Sequence, residues 1–314
     1  MNTVPPIDGQ SNLDGLAQDL EATKIQFRRG LLASALTTYC IGGPIELLVE
    51  PDSVLELQGV FQACQARRLG WKTLGAGSNL LVNDRGVGSD PVIRLGRGFR
   101  GVESISSEIL RVGGSAALMT LSRTVSEDGL SGLEFAGGIP ASIGGAVRMN
   151  AGAHGGQIGD LIEQVIFIDS SGQLVTWGRG DLNFAYRHSN IPAGAIVVSA
   201  DLKLTASDRQ KTTKLRNENL AERKLRQPLS APSAGSVFRN PSVDRSAGMV
   251  IEQAGLKGRA IGGATISVLH ANWIINKERK ATFDDVVGLV DLAQKEALGQ
   301  FGIELIPEIV RWNY

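Results

Sequence analysis

The feature that most constrains this chain is a 25-residue stretch running from Phe135 to Gly159. It holds eight glycines and no Asp or Glu, with Arg148 as its one unambiguous charge. Read as a loop, it is long for the inside of a compact domain, and loops of that length usually serve function. Two readings compete. One is a glycine-rich packing turn. The other is a cradle whose backbone N–H groups, unopposed by carboxylates, receive a flat anionic ligand at close range. A second, shorter glycine run, Gly75-Ala76-Gly77-Ser78-Asn79, follows the apolar segment Trp71 to Leu74. It is either a structural turn or a nest for phosphate oxygens, with Ser78 and Asn79 adding side-chain donors. Leu80 breaks the G-x-G-x-x-G dinucleotide pattern, and no Gly-Lys-Ser/Thr follows to make a Walker loop.

The composition narrows the ligand. Lys+Arg and Asp+Glu are both 32, so the chain lacks the basic excess of a nucleic-acid or membrane-surface binder. A local basic pocket for a small anion remains compatible with that balance. Glycine is 39 of 314 residues, about 12 % against an average of about 7 %. The cysteines, Cys40 and Cys64, are too few for a disulfide framework or a Cys-rich zinc site. No metal site is expected. No apolar run reaches the roughly 18 residues of a membrane helix, and Met1 to Gln10 lacks the basic start and apolar core of a signal peptide. The expectation is a cytosolic protein with no membrane or nucleic-acid partner and a flexible N-terminus over 1–24.

Local patterns divide the rest into three regions. In the first, 25–95, a strand at Leu47 to Val49 precedes a helix from Val54 to Leu69, with Asp52 or Ser53 as N-cap and Gly70 as C-cap. Strands at Trp71–Leu74, Leu80–Val82 and Val92–Leu95 complete a β-α-β unit. The second, 96–207, reads as a hairpin (Val102–Ile105, Ile109–Val112), a helix (Ala116–Glu127) and three strands after the glycine loop. Asp169-Ser170-Ser171-Gly172 joins the first two of these as a hairpin turn. The third, 208–314, opens with a highly charged helix, Arg209 to Arg226, read as a solvated face or connector. A short helix (Ala247–Gln253), a strand (Asn272–Asn276), an amphipathic helix (Phe283–Leu298) and a closing strand near Ile303 to Val310 follow.

Individual residues remain ambiguous at this level. Arg187 sits beside Phe184, Ala185 and Tyr186, where a guanidinium is either half of a buried ion pair or a clamp on a carboxylate or phosphate. His188 is a base or a structural histidine. Ser236 stands in Pro232-Ser233-Ala234-Gly235-Ser236-Val237-Phe238-Arg239-Asn240-Pro241 without a G-x-S-x-G elbow, so it is no hydrolase nucleophile. Glu308, inside Glu304 to Val310, is either surface-facing or drawn into a site.

Six ordered motifs together resemble one family. They are Thr37-Thr38-Tyr39 with Ile41-Gly42-Gly43-Pro44; Gly75 to Leu81; Gly138-Ile139-Pro140 through Gly144-Gly145-Ala146 to Met149-Asn150-Ala151-Gly152; Tyr186-Arg187-x-Ser189; Gly235 to Pro241; and Ile251-Glu252-Gln253-Ala254-Gly255-Leu256-Lys257-Gly258. From about residue 25 onward the chain is similar to UDP-N-acetylenolpyruvoylglucosamine reductases, flavoenzymes of peptidoglycan synthesis. The short path from Arg187 to Ser236, and His270-Ala271-Asn272, resemble the type II branch.

That resemblance implies an α+β fold. Its first two regions would form the two-part FAD-binding domain of the vanillyl-alcohol-oxidase-like (PCMH-type) class. The third would be an α+β substrate-binding domain whose last strand returns towards the flavin. It implies noncovalent FAD, with Gly75, Ala76, Gly77, Ser78 and Asn79 on the pyrophosphate, and Gly138, Ile139, Ser142, Gly144, Gly145, Asn150 and Gly152 around the ring. The catalytic positions fall on Arg187, Ser236 and Glu308, and the substrate contacts on Lys224, Arg239, Asn240 and Gln253. NADPH would reduce the flavin and leave, and UDP-N-acetylglucosamine enolpyruvate would enter the same cleft of a monomer. Arg187 would meet the charge growing on the substrate carboxylate, Glu308 would organise it or hold a proton, and Ser236 would protonate the adjacent carbon. The chain departs from the family at Cys40, Ala141 and His154, and in the two hydrophobic residues between Glu308 and Arg311. The rival expectations are another flavin oxidase, with covalent flavin on His154, and a nucleotide-sugar binder that has lost catalysis.

Overall fold

The computed structural model describes residues 9–314. Its first body is a four-stranded sheet in the order 27–32, 44–49, 92–93, 72–73, antiparallel at the first pair and parallel thereafter. Val54–Ala66 covers it as a helix. Ser53 is the N-cap, its Oγ accepting from Glu56 N at 3.2 Å, a contact worth about 1 kcal/mol. The helix ends at left-handed Arg68 (φ 54°) rather than at the expected Gly70.

The expected flexible stretch over 1–24 is corrected by a helix, Gly9–Ala22. Leu13, Leu16, Ala17 and Leu20 recur at helical spacing, and all four are buried against Leu57, Val60 and Phe61. Residues 1–8 of that stretch lie outside the described residues.

The second body is a five-stranded antiparallel sheet in the order 174–178, 162–168, 196–203, 109–113, 102–104. The 196–203 strand is the middle one, and its apolar residues are all buried there. Asp201 lies on it, 4 % exposed, and accepts from Arg111 at 2.7 and 2.8 Å and from Gln164 at 2.7 Å. Burial works against the ionised carboxyl, but those donors outweigh it and hold the group below the ordinary carboxylate range.

The glycine-rich stretch is not one loop. Glu134–Gly138 forms a 3-10 turn, Ile143–Arg148 an α-helix capped by Ser142, and Gly152–Ala153 pairs with Gly156–Gln157 as a small hairpin. The charged 209–226 helix is largely exposed, as the solvated-face reading expects, and it packs back onto the second body rather than serving as a free connector. It lies on the 134–138 turn and the 118–127 helix, and buried Thr212 donates to Ser126 O at 2.7 Å. The helix packs closely over two glycines: a Cβ at Gly138 would stand 2.7 Å from Arg223 Cδ and one at Gly137 3.0 Å from Arg216 Cγ, so either arginine would have to shift.

The third body packs helices Ala247–Gln253 and Phe283–Phe301 on a three-stranded sheet, 260–261, 264–266 and 274–275. Its core also takes Tyr39, Ile41 and Leu81 from the first region, and Tyr39 Oη donates to Ile274 O at 2.8 Å. The closing strand is Val310–Trp312, later than expected, and it runs parallel to Leu80–Val82. Leu80–Val82 therefore stands outside the first sheet, and the 303–309 segment ahead of the closing strand crosses back to the first two bodies.

Candidate active site

The 75–79 loop leaves its sheet where Leu74 N donates to Ile93 O at 2.9 Å. Beyond that point the N–H groups of Gly75, Ala76, Gly77, Ser78 and Asn79 find no acceptor among the described residues. The loop's carbonyls are engaged instead: Gly77 O accepts from Thr38 N at 3.1 Å and Asn79 O from Val310 N at 3.0 Å. Gly77 has φ +66°, and a Cβ there would run into the Leu36 carbonyl oxygen. Five consecutive N–H groups are thus left without an acceptor in a loop whose carbonyls are anchored.

That loop borders a cavity of about 330 Å³ between the first two bodies, lined by Gly75, Ala76, Ser142, Gly144 and Gly145 among others. A Cβ at Gly75 would sit 2.7 Å from Ser142 Oγ, so glycine lets the two walls meet. The 143–148 helix offers shape rather than donors. Its N–H groups at Ile143, Gly144 and Gly145 are spent on Ala116 O, Gly114 O and Ser142 Oγ. The free-donor reading therefore belongs to 75–79 alone. Gly138 and Ile139 are not among the lining residues, and Gly138 serves the packing of the 209–226 helix. The side chain of Asn150 is saturated, donating to Gln157 and Ala185 O and accepting from Gly159 N. Sequence reasoning left Arg94, Arg100 and Arg148 out of this wall. Arg148 carried a signal, as the one charge in an acid-free stretch.

Arg187 closes a tight turn in which Ala185 and His188 exchange N–H···O bonds of 3.1 Å. Its φ is +55°, a conformation costing a non-glycine residue about 1 kcal/mol or more, as strained functional residues do. The turn aims the guanidinium at Glu308, Nε donating to Oε1 at 2.8 Å, while Nη2 donates to Gly152 O at 3.2 Å. Gly152, expected at the ring, thus orients the arginine. Glu308 is fixed from three sides. Its N–H donates to Val237 O at 2.8 Å, Asn79 Nδ2 donates to its carbonyl at 3.1 Å, and Phe238 bridges Pro307. Ser236 is the residue immediately before Val237, whose carbonyl accepts the Glu308 N–H. Ser236 is half-buried, and its hydroxyl finds no partner among the described residues. Burial lifts the Glu308 carboxyl above the ordinary carboxylate range, and Arg187 draws it only partly back.

Cations outnumber acids here. Burial, with Arg187 nearby, lowers the Arg223 guanidinium to about 10, and its buried Nε has no partner. Arg239 also acts electrostatically on Glu308 and has a buried, unpartnered Nε. Lys224, expected to touch substrate, is exposed. Adjacent helix residues point about 100° apart, so the register presents Arg223 instead. Asn240 spends Oδ1 on Ala247 N at 3.1 Å, and Gln253 accepts from Arg245 at 3.2 Å. His154 lies 3.5 Å from Glu222 of the 209–226 helix. Among the described residues there is no His/Cys/Asp/Glu group that could hold a metal.

Comparison with known proteins gives consistent matches. Residues 45–178 match the family described as FAD binding domain, and residues 227–312 the C-terminal domain of UDP-N-acetylenolpyruvoylglucosamine reductase. The reductase of that name from Heliobacterium modesticaldum is 44 % identical over 274 residues, 87 % of this chain and 86 % of that one. That of Bacillus pumilus is 39 % identical over 275 residues, covering 87 % and 89 %. The crystal structure of the reductase (MurB) from Thermus caldophilus superposes with a TM-score of 0.80 at 35 % identity, covering 92 % of this chain and 100 % of that one.

Proposed function

The chain belongs to the UDP-N-acetylenolpyruvoylglucosamine reductase family, and on that premise we propose how its residues divide the work. The protein is an FAD-containing oxidoreductase that uses NADPH to reduce UDP-N-acetylglucosamine enolpyruvate to UDP-N-acetylmuramate in peptidoglycan synthesis. The residues present fit the cofactor. Five unpaired N–H groups and an acid-free, glycine-walled cavity suit a dianionic diphosphate joined to flat rings. When bound, FAD supplies two-electron chemistry, taking a hydride from NADPH and giving it to the enolpyruvyl terminal carbon.

The observation that carries the assignment of roles is the Arg187–Glu308 pair, set beside Ser236 and Asn79. As hydride arrives, negative charge grows on the substrate carboxylate. Arg187 keeps one guanidinium edge on Glu308 and Gly152, which leaves Nη1 to receive that charge. Ser236 holds the proton for the adjacent carbon. A hydroxyl is a poor acid alone, and the neighbouring surplus of Arg187, Arg223 and Arg239 favours the alkoxide it leaves. Glu308, raised by burial, holds Arg187 in place and is a proton reserve next to Ser236. Arg223, rather than Lys224, takes an anionic group of the substrate.

No helix among the described residues is long and apolar enough to cross a membrane, which fits the cytosolic reading. Domain limits of 25–95, 96–207 and 208–314 remain our proposal. Pre-steady-state kinetics of Ser236→Ala tests the assignment. NADPH should still bleach the flavin, while reoxidation by the enolpyruvyl substrate slows about 10²–10⁴-fold. Equal slowing of both half-reactions would make Ser236 a structural residue.

A further inference from the structure

Three charged residues line the cofactor cavity, Arg94, Arg100 and Arg148, and no Asp or Glu does. Arg94 is paired, donating to Glu50 Oε1 at 2.6 and 3.0 Å, a carboxylate it shares with Arg28 at 2.7 Å. The other two have no carboxylate within ion-pair distance among the described residues. Arg148 ends the 143–148 helix with its guanidinium sunk in the wall. It donates to the carbonyls of Ile191, Pro192 and Ala195 at 3.4, 3.1 and 2.7 Å. Carbonyls satisfy donors but leave a formal charge uncompensated, and a buried cation ordinarily has an anion. Arg100 follows the 97–99 turn, where its side chain is exposed.

We propose that Arg148, with Arg100, supplies the positive charge for the adenosine-diphosphate half of the cofactor. The flavin half is left to the Arg187 side of the site. This rests on FAD being the cofactor, and it adds a formal charge to the 75–79 nest. Arg148 stands between Val147 and Met149 in a stretch otherwise free of charge, so the chain places a strong cation where the backbone nest offers only dipoles.

Two ligands separate charge from architecture: FAD, and ADP, which lacks the flavin rings. Apoprotein is titrated with FAD by fluorescence, and ADP is run as a competitor. In Arg148→Gln the FAD Kd and the ADP inhibition constant should rise together, by about ten- to a hundredfold, as for a hydrogen-bonded charge lost from an anion site. Arg148→Lys should recover part of both. The FAD Kd of wild-type protein should rise more steeply with KCl than that of Arg148→Gln. An unchanged FAD Kd would overturn the proposal. So would weakened FAD with unchanged ADP, since Arg148 would then act only by stapling the 191–195 wall. Circular dichroism checks the fold. If Arg148→Gln unfolds, exposed Arg100→Gln carries the same comparison with the same outcomes. Wild-type protein that takes up no FAD would instead defeat the cofactor reading itself.

Discussion

Replacing Arg187 with lysine keeps the charge and removes the fork. In the structure Nε donates to Glu308 at 2.8 Å and Nη2 to Gly152 O at 3.2 Å, so one edge of the planar group is already committed and Nη1 is left for substrate. A lysine ammonium can restore the ion pair, but not that contact, the Gly152 contact and a third towards substrate in one plane. The loss is one charge-assisted hydrogen bond, about 1.5–3 kcal/mol. If the bond strengthens as charge reaches the substrate carboxylate, the loss falls on the transition state. The kcat of the oxidative half-reaction should then drop about ten- to a hundredfold, with a smaller rise in KM. Stopped-flow flavin absorbance separates this from NADPH oxidation, which should keep its rate. A raised KM at unchanged kcat would refute the argument and leave Arg187 a ground-state anchor. Flavin content and melting temperature, read on the same sample, exclude collapse of the site. Retained charge opposite Glu308 predicts that both stay near wild type.

Gly77→Ala should reduce flavin content to a small fraction of wild type, because a Cβ at φ +66° meets the Leu36 carbonyl and displaces the nest; absorbance at 450 nm per chain measures it, and full occupancy would show that the loop does not hold the diphosphate. Arg223→Gln should raise substrate KM at least tenfold while Lys224→Gln leaves it within about twofold, and the reverse order would restore the other helix register. Asp201→Asn should cost about 1–3 kcal/mol at pH 7, discounted because the Arg111 side chain is 35 % exposed. The folded Asp201 carboxyl lies below its unfolded value, so its contribution is present above the ordinary carboxylate range and disappears as pH falls through the folded value. Thermal melts from pH 7 downward should therefore show a shallower acid loss in Asp201→Asn, and parallel curves would refute the linkage.

Local rules located most elements because their signals are local. Asp169 forms the hairpin turn with its own carboxylate, accepting from Ser171 N at 2.8 Å and Gln173 N at 3.0 Å. The 9–22 helix was missed although Leu13, Leu16 and Leu20 carry the period, because two glycines and several polar residues dilute the apolar pattern. The glycine stretch was misjudged for a different reason. Glycine lowers helix propensity, but three tertiary and cap acceptors waiting at Ala116, Gly114 and Ser142 stabilise the 143–148 helix. Arg187, Ser236 and Glu308 were legible only as members of an ordered set of motifs. Nothing local to Glu308 marks it, since its partner is 121 residues away. A one-residue register turns a side chain about 100° around the helix, so the inward placing of Arg223 over Gly138, with Lys224 exposed, was not legible in the sequence.

The parallel pairing of Val310–Trp312 with Leu80–Val82 also sets a timetable for the ribosome. Leu80, Leu81 and Val82 are all buried, and their strand has no other partner in its sheet. During translation that apolar edge therefore waits unpaired while more than two hundred residues are added, at roughly 5–20 residues per second. The diphosphate nest and its cavity walls are synthesised well before Glu308, so the lobes that carry flavin exist before the group that orients Arg187. An open, wholly apolar edge held that long is a template for intermolecular strand addition. The demand for chaperone protection should peak between the emergence of residue 82 and that of residue 310, and overexpression should expose it as aggregation of nascent chains rather than of the finished protein.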